Sequence, residues 1–159
     1  MLTKREGFLG TVIFVTAMLV VLLPNVQTLN ASKVASQTDE AVPAHHKQAP
    51  TEALPDTLDP ARFDNPVVKN AYAFAGKAKK VLYQQPCYCH CDRSQGHSSL
   101  LDCFTGTHGS MCNICIGEAL YSYEQTRKGK TPAQIRDGIE KGEWQKIDGT
   151  KYQTYPAKP

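Results

Sequence analysis

The sequence predicts a mainly α protein: a small helical domain around an irregular cysteine-rich loop, preceded by an N-terminal hydrophobic helix and a disordered linker. Three observations carry this reading. All six cysteines fall within residues 87–115. Apolar residues on both sides of that stretch recur at helical spacing and are framed by capping signals. The first 59 residues divide into one apolar run and one polar, proline-spaced segment. The expected divisions are 1–29 as a membrane anchor or signal peptide, 30–59 as a flexible linker, 60–149 as the cysteine-rich domain and 150–159 as a loose tail. A domain of about a hundred residues buries only a modest core, so a staple of disulfides or metal suits it.

At the N-terminus, Lys4 and Arg5 precede an apolar run over 8–23. Its length falls between a signal-peptide core and a spanning helix. Positive charge ahead of the run keeps the N-terminus inside and sends the rest across the membrane. An uncleaved anchor is the favoured reading and a secreted form the next. No cysteine follows the run before Cys87, which excludes lipid attachment there. The expected location is therefore outside the cytoplasmic membrane.

Residues 30–59 are rich in Ala, Ser, Thr, Gln, Pro and charge. Such a segment repays little ordering entropy and reads as a tether. Its His45-His46 pair reads as polar filler ahead of a metal pair. Residues 60–159 carry 14 basic and 9 acidic groups, a mild excess with no aromatic-interleaved basic run. Nucleic acid is not an expected partner.

A first helix is expected over 65–84. Asp64 or Asn65 caps it, and Pro66 suits its first turn. Val67, Ala71, Phe74, Ala78, Val81 and Leu82 form its apolar stripe, and Pro86 ends it. Tyr72, Phe74 and Tyr83 read as core or core-edge aromatics. A second helix is expected over 111–128, with Ser110 as cap, Gly129 as stop, and Ile116, Leu120 and Tyr123 facing inward. Glu124 and Lys128 pair on its surface. Thr131-Pro132-Ala133-Gln134 is a capping box opening a third helix. Ile135 and Ile139 face the core, and Trp144 closes over it.

The chemistry lies in Cys87, Cys89, Cys91, Cys103, Cys112 and Cys115, with His97 and His108 behind them. Thiolate and imidazole are the ligands of soft and borderline metals. On an extended strand, alternate residues repeat about every 6.6–6.8 Å. Two sulfurs on one zinc lie within about 4.6 Å of each other. The 87–91 triplet must therefore curl or share its thiols between ions. Cys112 and Cys115 stand three apart at a helix start, where free N–H groups and the dipole favour thiolate. That placement suits a metal ligand and a redox dithiol alike. Cys103 reads equally as a ligand or a buried thiol. Zinc would take four ligands as a staple. Copper(I) would accept two or three thiolates, with Met111 as a further soft ligand. Disulfides suit an oxidising compartment, although pairing cysteines two apart closes a very small ring. Haem attachment is excluded, since Ile116 stands where the motif needs histidine. Hydrolysis has little support; Glu118, the nearest glutamate, lies a turn beyond Cys115.

The Pro-Cys-Tyr-Cys-His-Cys run at 86–91 resembles the signature of bacterial proteins with a Pro-Cys-Tyr-Cys-Gly-Cys motif. The resemblance continues through His97, Leu101-Asp102-Cys103-Phe104, the Cys112/Cys115 pair and Ile135-Arg136-Asp137, covering roughly 65–146. It implies export and a shared cysteine framework, in a family largely of unknown function. Here His90 replaces the family's glycine, and the cysteine of lipoprotein members is missing.

The reading that results is an extracytoplasmic, non-enzymatic metal-binding module that captures, delivers or is stapled by a soft or borderline ion. Copper(I) ranks slightly above zinc. A thiol–disulfide protein using Cys112/Cys115 and a disulfide-stapled interaction domain are the alternatives. The expected partners are a metal ion, the membrane through the N-terminal helix, and a metal-handling or redox protein that the sequence does not identify.

Overall fold

The computed structural model describes residues 41–157, and the expected N-terminal hydrophobic helix and the start of the expected linker lie outside them. Among the described residues the protein is mainly helical, with no strand. None of their helices is long and apolar enough to cross a membrane. Six helices follow in order: α1 (Pro66–Lys77), α2 (Lys79–Leu82), α3 (Cys91–Gln95), α4 (Asp102–Thr105), α5 (Asn113–Arg127) and α6 (Pro132–Glu140).

Helix α1 starts as its sequence dictates. The Asn65 side chain accepts from the N–H groups of Val67 and Val68, and Pro66 occupies the first turn. The single helix expected over 65–84 is divided at Ala78, whose φ of −114° leaves the helical range. Ala78 still donates to Phe74 and accepts from Val81 and Leu82, so the break is a kink between abutting helices. Buried Ala71, Tyr72 and Ala75 of α1 pack with Ile116, Ala119 and Leu120 of α5, and Leu82, Leu100, Leu101 and Phe104 complete the main core. Tyr72 and Phe74 are core aromatics, and the Phe74 ring stacks on Tyr123 at 3.8 Å.

Helix α5 begins later than its sequence suggests. Residues His108–Met111 form a 3₁₀ turn, and the cap is Cys112 rather than Ser110. The Ser110 hydroxyl donates backward to the Thr107 carbonyl and is spent inside that turn. Gly109 permits the turn, because a β-carbon there would stand 2.8 Å from the Cys103 carbonyl oxygen. At the other end Gly129 adopts φ +76° and stops the helix as expected. The capping box forms in full: Thr131 Oγ1 accepts from the Gln134 N–H, and Gln134 Oε1 from the Thr131 N–H. Ile135 and Ile139 are buried with Tyr121 in a second, smaller cluster against which Trp144 packs.

Two segments expected to be loose are tied to the domain. Within the linker, Pro43 is fully buried and Leu54 and Leu58 pack on the main core. The Leu58 N–H donates to Phe104, Asp56 pairs with Lys79 at 2.9 Å, and the His46 ring stacks flat on Tyr83. Average composition hides this, because a few well-spaced apolar residues suffice to seat an extended segment on an existing core. In the tail, Tyr152 is buried, and Asn70 holds the chain with three bonds: Nδ2 donates to the carbonyls of Tyr152 and Thr154, and Oδ1 accepts from the Ala157 N–H.

Candidate metal centre

The first cysteine arm curls. Pro86 ends the helical segment, and the His90 N–H closes a turn onto the Cys87 carbonyl at 3.0 Å. His90 itself is left-handed, with φ 55°. That conformation is costly for a residue with a β-carbon and free for glycine, which accounts for the glycine of the related motif at this position. Helix α3 then starts at Cys91. The turn brings Cys87 Sγ and Cys89 Sγ to 3.4 Å, as a shared site demands and a flat strand forbids.

The second arm comes from α5. Cys112 is its cap and Cys115 sits three residues on, in the first turn, where backbone N–H groups lack intrahelical partners. Cys115 Sγ lies 3.4 Å from Cys87 and 3.6 Å from Cys89. Cys103, on α4, lies 3.4 Å from Cys91 and 3.4 Å from Nδ1 of His97. His108 Nε2 lies 3.8 Å from Cys89 Sγ, and the His97 and His108 rings are 5.2 Å apart. All eight residues expected at the site therefore converge. Triads that close within 4.8 Å include Cys87/Cys89/Cys91, Cys87/Cys103/Cys115, Cys89/Cys112/Cys115 and Cys91/Cys103/His108, and Cys87/Cys89/Cys115 at 3.4, 3.4 and 3.6 Å. A cluster of this kind can hold a metal ion.

All six cysteines are free. Their nearest sulfurs, 3.4 Å apart, are far outside the bond length of about 2.05 Å for a disulfide. The disulfide-stapled arrangement is thus absent. Met111 is 80 % exposed and does not pack into the cluster. His45 turns to the Pro43 carbonyl and His46 to Ser98, so neither joins a triad.

Thiols this close shift one another. Cys87, bonded first to Cys103 and then to Cys115, and Cys103, bonded first to Cys115, are held well above the ordinary thiol range. Burial pushes Cys112 up to about 12. Bonds from Cys103 and Cys87 lower Cys115 to about 3, and the same two neighbours lower Cys91. Cys87 lowers Cys89, which in turn raises His108. The six thiols thus divide into three raised by burial and by one another and three lowered by their neighbours.

Sequence reasoning named Glu118 only to set hydrolysis aside and missed its structural role. Glu118 is fully buried, and its Oε1 accepts from the Tyr88 N–H at 2.9 Å. It pins the first arm to the helix that carries the second. Burial raises its carboxyl well above the usual range, opposed by the Tyr88 N–H and the Cys87 thiol. Its spacing of three from Cys115 puts both on one helix face, which is the signal that could have found it.

The fold and site define a small helical protein with a thiol cluster set into its core. The chain belongs to the family described as proteins of unknown function with a PCYCGC motif, whose model matches residues 12–154. No curated protein and no solved structure matches the chain.

Proposed function

We propose that this protein is an extracytoplasmic metal-binding module that captures or delivers a soft ion, copper(I) ahead of zinc, without turnover. The observation that carries the reading is the convergence of six free thiols and His108 from separate segments onto one locus, with His97 against Cys103. Unoccupied thiols would oxidise in an exported protein, and a bound metal protects them. The basic residues Lys4 and Arg5 ahead of the apolar run 8–23 support export, with that run as membrane anchor.

The thiol–disulfide alternative fares less well on the geometry. An attacking thiol needs both exposure and thiolate character. Within the Cys112/Cys115 pair that this alternative uses, the two are separated: Cys112 is half-exposed but raised, and Cys115 is lowered but fully buried, whereas Cys89 is both half-exposed and lowered.

The test is thiol labelling of the full-length chain, purified anaerobically in mild detergent. Metal should shield the cysteines from a maleimide, and a strong chelator should open them to it. Cysteines already paired as disulfides, or labelled equally with and without chelator, would contradict the reading.

A further inference from the structure

We infer that the centre is polynuclear, holding more than one copper(I)-like monovalent ion with cysteine sulfurs shared between neighbouring ions. This rests on the metal-binding reading and goes further, to the number and kind of ions.

The first argument is the overlap of the triads. Among the five triads, Cys87, Cys89 and Cys115 each belong to three and Cys91 and Cys103 to two, while Cys112 and His108 belong to one. One four-coordinate ion would use four of these seven residues and leave three over. A thiolate sulfur has lone pairs enough to bridge two ions, and a sulfur that borders several triads stands where it can do so.

The second argument is distance. For metal–sulfur bonds of about 2.3 Å, sulfurs on one ion lie about 3.8 Å apart in a tetrahedron and about 4.0 Å apart in a trigonal plane. The Cys87/Cys89/Cys115 triangle measures 3.4, 3.4 and 3.6 Å, and the Cys91–Cys103 pair 3.4 Å. Each group needs an expansion of only a few tenths of an ångström to receive an ion.

The third argument is capacity. One zinc takes four ligands, and eight Cys and His side chains meet here. Cys87, Cys91, Cys103 and Cys115 are all nearly inaccessible, and their sulfurs face one another. Loading several ions gives every one of these sulfurs a role. The grouping by threes favours copper(I), which accepts trigonal thiolate coordination, over zinc, which completes a tetrahedron. Each protonated cysteine that becomes a ligand releases its proton to solvent, and the copper stays copper(I) throughout.

The arrangement also ranks the residues. Cys87 joins the Cys89/Cys91 group to the Cys103/Cys115 group and is a corner of the Cys87/Cys89/Cys115 triangle, so its loss affects three triads. Cys112 lies at the half-exposed edge and serves one.

The experiment is a copper(I) titration of the reduced full-length chain in detergent under anaerobic conditions, read by native mass spectrometry and X-ray absorption. The expected result is more than one ion per chain, with a short copper–copper scattering vector. Cys112→Ser should remove at most one ion and Cys87→Ser more than one. Should the buried Cys87→Ser variant fail to fold, the wild-type count and the copper–copper vector decide alone. Saturation at one ion with no such vector overturns the polynuclear centre and leaves metal binding standing. Absence of any bound ion overturns both.

Discussion

The two ends of the domain are built on different chemistry. Around α6 the core is a conventional one: Ile135 and Ile139 bury against Tyr121, a capping box closes the helix start, and the Tyr121 hydroxyl donates to Glu143 at 2.6 Å. That end is complete with protein atoms alone. At the cysteine end the core positions are taken by Cys87, Cys91, Cys103 and Cys115, and Glu118 keeps one buried carboxylate oxygen with no hydrogen-bond partner. This end is compact and brings together thiol and imidazole groups, the donor set of a soft or borderline ion. The contrast teaches that one small domain can devote one region to stability and leave another to be completed by an ion.

Stripping the metal should separate the two ends most sharply. At a free ion concentration a thousandfold above Kd, bound metal contributes about 4 kcal/mol. Chelation should therefore lower hydrogen-exchange protection strongly in 87–115 and only slightly in α6. Acidification should act the same way. Cys112, pushed up to about 12, must release its proton to become a ligand, as must Cys87 and Cys103, so metal affinity falls as pH falls. Proton release during a metal titration in weak buffer measures this directly.

At the opposite end, Ile135→Ala removes a fully buried side chain and should cost about 3 kcal/mol in denaturant unfolding while leaving metal stoichiometry unchanged. A loss of metal in that variant would break the proposed independence of the two ends. Between them stands Glu118. Glu118→Leu withdraws the acceptor from the Tyr88 N–H and should destabilise by about 2 kcal/mol, with weaker metal binding. Glu118→Gln retains an acceptor and should recover most of both; equal damage from the two variants would show that the negative charge matters more than the hydrogen bond. The smallest effect expected is a gain. His90→Gly relieves a left-handed residue and should stabilise the fold by about 1 kcal/mol, offset in part by glycine's greater freedom when unfolded. If His90 were a ligand instead, the same change would lower metal content.

Local signals in the sequence foretold local structure. Asn65, Pro66, Thr131 and Gln134 announce their helix starts because a cap is decided by residues two or three apart. The convergence of the cysteines was legible as well, since alternate thiols on a flat strand cannot share an ion. What escaped was set by distant partners. Asn70 looks like an ordinary helix residue, and its role depends on Tyr152, Thr154 and Ala157. Glu118 looks like a surface carboxylate until Tyr88 is brought over it. Pro43 and Leu58 sit in a stretch whose average composition argues for disorder, and only the finished core gives them a seat. Ser110 failed as a cap because its hydroxyl was already committed to the preceding turn.

The central claim is that the six thiols form one metal centre. It is tested most directly by elemental analysis of the full-length chain, purified anaerobically without added metal, with free thiols counted after denaturation in chelator. The account predicts at least stoichiometric soft metal, copper ahead of zinc, and six thiols recovered per chain. A metal-free protein, or one whose cysteines are recovered as disulfides, would contradict it.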